Sequence, residues 1–279
     1  MARMNFFERM EREIDFQEEY EKIEDIILNE PGSGYSSINE DISKAFRNWK
    51  DRRNYTSFDE LRNYIGFSYL RDQKNRYLCI PTSTINGIDD FLLYCEMILN
   101  LCISIMADYG SSYNHERVIT IIDTMIYDLE KINHEIHKDE KGRVIIVQKN
   151  AATTAVVDIV ETDLGDAIIE YNHHLLKGDI EAKKTILKKI ADALEPKREA
   201  LKNADKTIEK DFFYMVNNMN VRHNNCDPAD AKNYNEKFAS LSSEKQEEWY
   251  DEIYQEGLMA FLCLEQVERK AKIDAFKQG

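Results

Sequence analysis

Apolar residues recur at helical spacing along most of this chain. Phe7, Met10 and Ile14, followed by Phe16, Tyr20, Ile23 and Ile27, predict an amphipathic helix over residues 5–29. Pro31-Gly32-Ser33-Gly34 ends it. Ser37-x-x-Glu40 has the form of a capping box and opens a helix over 38–52 that buries Ile42, Phe46 and Trp49. Ser57-x-x-Glu60 opens a shorter helix reaching Ile65. The most apolar window, Phe91–Ala107, predicts a buried helix over 86–107, and Val118, Ile121, Ile122, Met125, Leu129 and Ile132 predict another over 113–138.

Only two short segments break the helical period. Tyr77–Ile80 is apolar and stopped by Pro81, and Arg143–Gln148 is β-branched; the pair is expected to form a small ribbon. Helices then resume over about 151–162, 164–177, 179–203 and 205–220. In the second of these Leu164, Ile168, Tyr171 and Leu175 make the seam. Asp179 is the expected N-cap of the third, and Pro196 is expected to kink or split it. Asp227-Pro228 reads as the start of a short helix, and Ser243-x-x-Gln246 as the cap of a long one seamed by Trp249, Ile253, Ala260, Leu264 and Val267. The fold class is therefore mainly α, an antiparallel helical bundle with at most a small two-stranded β ribbon. Two regions are expected: an N-terminal helical region over 1–140 and a C-terminal bundle over 141–279.

Composition narrows the functional classes. Asp and Glu number 52 against 37 Lys and Arg, a formal net charge of −15. Such a surface repels phosphates over most of its area and argues against broad, non-specific DNA binding. The first residues carry no apolar secretory core, and the five cysteines form no CxxC pair, so reduced thiols in a cytoplasmic protein are expected. No membrane association is expected either: the apolar window contains Glu96 and Asn100 and falls short of the roughly 20 residues of a span. No glycine-rich phosphate loop, GxGxxG, GxSxG or HExxH motif occurs, which removes support for nucleotide kinases, dinucleotide enzymes, α/β-hydrolases and zincins.

The densest candidate chemistry lies in Phe212–Asp227, FFYMVNNMNVRHNNCD. Arg222 offers a fixed positive charge for a phosphate, and His223 a proton that titrates near neutrality. Together they fit metal-free RNA cleavage by an attacking 2′-hydroxyl. Asn217, Asn218 and Asn224 are the neighbouring candidates for binding substrate. The same asparagines suit a helix end and a turn, because asparagine tolerates the left-handed conformation, so capping is the competing explanation.

The run NNMNVRHNN, preceded by an aromatic-rich helix and followed by one starting near EEWYDEIY, resembles the C-terminal part of HEPN (higher eukaryotes and prokaryotes nucleotide-binding) domains, above all those of bacterial abortive-infection and other phage-defence proteins. The resemblance covers roughly residues 205–275. It implies a helical bundle, a homodimer and, in active members, metal-independent ribonuclease or toxin activity carried by Arg222 and His223. The family's usual arginine and histidine stand four to six residues apart, whereas here they are adjacent. On this reading the partners are an RNA substrate and a protein partner or antitoxin, with no cofactor and no metal. The alternative is a non-catalytic helical interaction or scaffold protein that acts through protein partners or self-association.

Weaker candidates are set aside on simpler grounds. Asp166, Glu170 and His174, with His173 adjacent, would share one helix face as metal ligands, but one helix rarely completes a coordination sphere. His134 and His137 would stand one helical turn apart. Lys44, Arg47, Lys50, Arg52 and Arg53 beside Trp49 and Tyr55, and Lys183, Lys184, Lys188, Lys189, Lys197 and Arg198, read first as solvated faces.

Overall fold

The structure is a computed structural model that describes residues 14–28, 38–49, 60, 69–71, 77–81, 85, 87–108, 115–139 and 141–278. It is mainly α. The chain divides into two compact units, residues 1–146 and 147–279, and the division falls inside a β-strand. The helix expected over 57–65 lies outside the described residues save for Glu60, as do residues 5–13 of the first expected helix and the basic residues Lys50, Arg52 and Arg53.

In the first unit, α1 (Phe16–Leu28) buries Phe16, Tyr20, Ile23 and Ile27, the stripe its spacing predicted. α2 (Ile38–Asn48) buries Ile38, Ile42 and Phe46. Both pack on α3 (Ile88–Asp108), whose residues Phe91, Leu92, Tyr94, Cys95, Ile98, Leu99, Leu101 and Cys102 are almost wholly buried. Tyr94 donates to the buried Glu24 carboxylate at 2.5 Å and meets Tyr20 edge-on. α3 is 21 residues long, close to the expected 86–107, and Ile88–Ala107, which extends beyond the apolar window Phe91–Ala107, is long and apolar enough to cross a membrane. Its two polar residues have a different use. The Asn100 side chain accepts from Val144 N at 2.9 Å and donates to Val144 O at 2.8 Å, and Glu96 accepts from Ile146 N at 2.9 Å. They satisfy the backbone of a strand that would otherwise present unpaired groups.

Two corrections concern strands. β1 (Tyr69–Arg71) pairs antiparallel with β2 (Tyr77–Pro81), so Tyr77–Ile80 is a strand but does not join the β-branched run. That run, β4 (Val144–Gln148), pairs instead with β3 (His134–Lys138). α4 (His115–Lys131) therefore ends seven residues before the expected 138, where Asn133 takes a left-handed φ of 58°. A nearby β-branched partner outweighs the modest helix propensity of His-Glu-Ile-His-Lys. His134 and His137 consequently alternate across a strand. His134 is buried against the Ile132 carbonyl at 2.7 Å, and His137 lies 3.0 Å from Glu135. Asp139 closes the β3–β4 turn by accepting from Lys141 N and Arg143 N. Burial alone would push its carboxyl up, but the Arg143 backbone and guanidinium hold it below the usual range.

The second unit begins with α5 (Ala151–Val157), capped by Asn150, and α6 (Thr162–Glu170). α6 stops seven residues before the expected 177, because His173 bridges to Val147 and Asn172 O accepts from Gln148 N. Leu175 is thereby exposed, and Asp166, Glu170 and His174 no longer share a helix face. α7 (Ile180–Leu194) is capped by the Asp179 side chain on Ala182 N at 3.0 Å. Pro196 splits the long helix as expected: a 3₁₀ turn at Glu195–Lys197 leads into α8 (Arg198–Ala204). α9 (Lys206–Asn218) follows, capped by Asp205 on Thr207 N and Ile208 N.

No helix starts at Pro228. Asp227 accepts from Ala229 N and makes a turn, and the short α10 (Glu236–Ala239) is capped by Asn235. The last helix, α11 (Ser243–Gln278), is capped one residue earlier than expected, by Ser242. It runs through the middle of the unit. Tyr250, Ile253, Tyr254, Leu258, Ala260 and Phe261 are buried, and a β-carbon on Gly257 would lie 2.9 Å from Ile190 Cγ2 and 3.3 Å from Phe212, which fixes how closely α7 and α9 approach. Trp249 and Val267, expected on the seam, are 40% and 50% exposed.

Candidate functional site

The Asn-Arg-His segment is built around the end of α9. Asn218 donates to Tyr214 O at 2.8 Å, and its own carbonyl accepts from the Asn235 side chain at 2.8 Å. Asn220 then takes the left-handed conformation, φ 60°, that turns the chain out of the helix. The hub is Asn225, 2% exposed: its Oδ1 accepts from Asn220 N at 2.8 Å and its Nδ2 donates to Asn233 O at 2.5 Å. Asn224 reaches Asp227 at 3.3 Å, and Asn217 is half-buried in the last turn of α9. Asn225 and Asn235 thus close the loop upon itself through its backbone.

Arg222 faces inward. Its backbone N donates to Val216 O at 3.0 Å. Nη1 pairs with Glu195, and Nη2 donates to Ala191 O at 2.7 Å and lies 3.8 Å from Asp192. The guanidinium sits 5.5 Å from the ring centroid of buried Phe213, with Arg198 at 4.3 Å from that ring. Only 16% of the Arg222 side chain is exposed. His223, one residue on, points to solvent. Adjacent residues in an irregular segment need not share a direction, and here the pair the sequence brings together is divided between interior and surface.

The weaker candidates resolve similarly. Lys183, expected on a solvated face, is buried and lies 2.8 Å from both Glu247 and Asp251. Those contacts and the N–H of Gly178 hold the Glu247 carboxyl below its ordinary value against the upward push of burial. Lys44 is exposed and lies 3.5 Å from Asp41, while Trp49 packs beside Phe46 on the core.

A different surface stands open. α9 and α11 pack side by side, and between them lie two adjoining hollows of about 290 and 400 Å³. Tyr214, Met215, Met219 and Trp249 give an apolar floor and wall; Asp211, Glu248, Glu252 and Glu256 give the rim. Tyr214 is 59% exposed. Glu248 is paired with Lys245, but among the described residues no cation lies within ion-pair distance of Asp211, Glu252 or Glu256. Burial raises the Glu256 carboxyl, and Asp211, Asp205 and Glu252 raise it further. Sequence reasoning missed this groove because Trp249 was assigned to the core. The available signal was that Asp211 and Tyr214 share a face of α9, as Glu248, Glu252 and Glu256 do on α11.

Comparison with protein-family models, with curated proteins and with solved structures returns no match.

Proposed function

We propose that this chain is a non-catalytic helical interaction protein whose C-terminal unit presents a docking surface to a protein partner. The observation that carries this reading is the state of Arg222: its guanidinium is taken up by Glu195 and by the Ala191 carbonyl. A substrate phosphate would have to displace a carboxylate already in place, at a cost in Coulomb energy and in a broken backbone contact. Of the asparagines expected to hold substrate, Asn218 bonds its side chain back to Tyr214 O and Asn224 reaches Asp227.

The HEPN-like reading, a homodimeric ribonuclease of a defence or toxin system, retains one supporting observation, the solvent-facing imidazole of His223. An RNA-cleavage assay in the presence of chelator separates the two. The interaction reading expects no cleavage above buffer by the wild type. Cleavage that disappears in His223→Ala, with helical content unchanged, would overturn it.

A further inference from the structure

We propose that the groove between α9 and α11 binds a basic segment of a partner protein, with an apolar side chain seated on Tyr214, Met215, Met219 and Trp249 and its lysines or arginines paired with Asp211, Glu252 and Glu256. This rests on the interaction reading and names its partner chemistry. Two features of the same surface support it. The floor is apolar yet open: Tyr214 and Trp249 are 59% and 40% exposed, and large aromatic side chains give contact area at low entropic cost and are enriched among binding hot spots. Methionines beside them adapt to the shape of what binds.

The rim has a single sign. Glu252 and Glu256 on α11 and Asp211 on α9 line the groove with no cation among the described residues within ion-pair distance, and Glu256 is already half withdrawn from water. Such a cluster is unfavourable in the free protein and is relieved when a cation arrives. An acidic or neutral segment would gain the apolar contact but leave that repulsion in place. The face continues along α11 to Met259, 51% exposed, one turn beyond Glu256, so the groove suits an extended or helical segment better than a single small cation.

The test is selection of random displayed peptides against the full chain, followed by calorimetric titration of the enriched sequences. The expected sequences carry at least two lysines or arginines around an apolar anchor, and their affinity falls with salt. Glu252→Gln with Glu256→Gln, and separately Trp249→Ala, should each weaken binding at least about tenfold. Glu265→Gln with Glu268→Gln removes the same charge beyond the groove and should change binding by less than about twofold. The Glu252→Gln, Glu256→Gln variant serves if Trp249→Ala fails to fold. Failure to enrich any peptide, enrichment of sequences without basic residues, or equal weakening by the two charge pairs overturns the proposal. Those failures leave the interaction reading standing, whereas RNA cleavage abolished by His223→Ala removes that reading whatever the groove binds.

Discussion

Tyr171 and Tyr254 lie face to face, their ring centroids 4.0 Å apart and their planes within 6° of parallel. The stack joins α6 to α11, and polar groups surround it. Tyr254 Oη donates to Ile168 O at 2.9 Å, receives the Asn172 side chain at 2.7 Å and lies 2.8 Å from Thr153 Oγ1. Burial pushes its hydroxyl up to about 12, moderated by Thr153 and Asn172, so it stays protonated. Tyr171 donates to Asp251, which also receives Lys183. Tyr254→Phe keeps the stack and removes the hydroxyl. Its partners then keep only the longer bonds from the Asn172 amide to Thr153 Oγ1 at 3.2 Å and Ile168 O at 3.3 Å, and a loss of about 1–3 kcal/mol is expected by denaturant unfolding.

Gly257 marks the closest approach in the second unit. A β-carbon alone meets Ile190 at 2.9 Å. Gly257→Leu cannot be accommodated by a side-chain shift and is expected to cost more than about 2 kcal/mol, although leucine is the better helix former. Equal or greater stability in the variant would show that α7 and α9 do not pack on α11 at this spacing.

Asn225 holds the 219–235 loop through both ends of its amide. Asn225→Leu leaves Asn220 N and Asn233 O without those bonds and is expected to cost about 2 kcal/mol. Faster hydrogen exchange at Asn220 and Asn235 would mark the opened loop; unchanged exchange would remove Asn225 as its hub.

In the first unit, Asp128 is 1% exposed and one of its carboxylate oxygens has no partner among the described residues. Burial and the nearby Glu19 raise its pKa to about 6 against the opposing pull of Lys131 and Lys22. The folded state therefore holds a proton that the unfolded chain has released between about pH 4 and 6. The sign follows: this group's contribution is full below its unfolded pKa and is lost as pH rises through the folded value. Asp128→Asn is expected to stabilise the unit at pH 7.5 by the order of 2 kcal/mol and to flatten its stability between pH 4 and 7. Unfolding followed by Trp49, with Trp249 replaced by Phe, reads this unit. A steeper pH dependence in the variant would contradict the assignment.

Much of the fold was legible because helix spacing and capping are local. The stripe Phe16, Tyr20, Ile23 and Ile27, the Asp179 cap and the break at Pro196 all follow from residues within a turn or two of one another. Strand pairing is not local. Nothing near His134 announces that it will leave the helix to meet Val144–Gln148, and nothing near His173 announces a bridge to Val147. The surroundings of Arg222 are not local either: it adjoins His223 in sequence, but its partners lie 27 and 31 residues away, beyond the break at Pro196. The groove was hidden because its two walls are distant in sequence and the register of Trp249 on α11 was assigned one position from the truly buried Tyr250.

The central claim is that Arg222 spends its charge within the fold, and its most direct measurement is the stability of Arg222→Gln. Unfolding is followed by Trp249 fluorescence with Trp49 replaced by Phe, in a double-mutant cycle with Glu195→Gln. The expected result is a loss of about 1–3 kcal/mol on removing Arg222, with a coupling to Glu195 of at least about 0.5 kcal/mol. An Arg222→Gln chain as stable as the wild type, with no coupling to Glu195, would contradict the claim and return that guanidinium to the surface chemistry its neighbour His223 suggests.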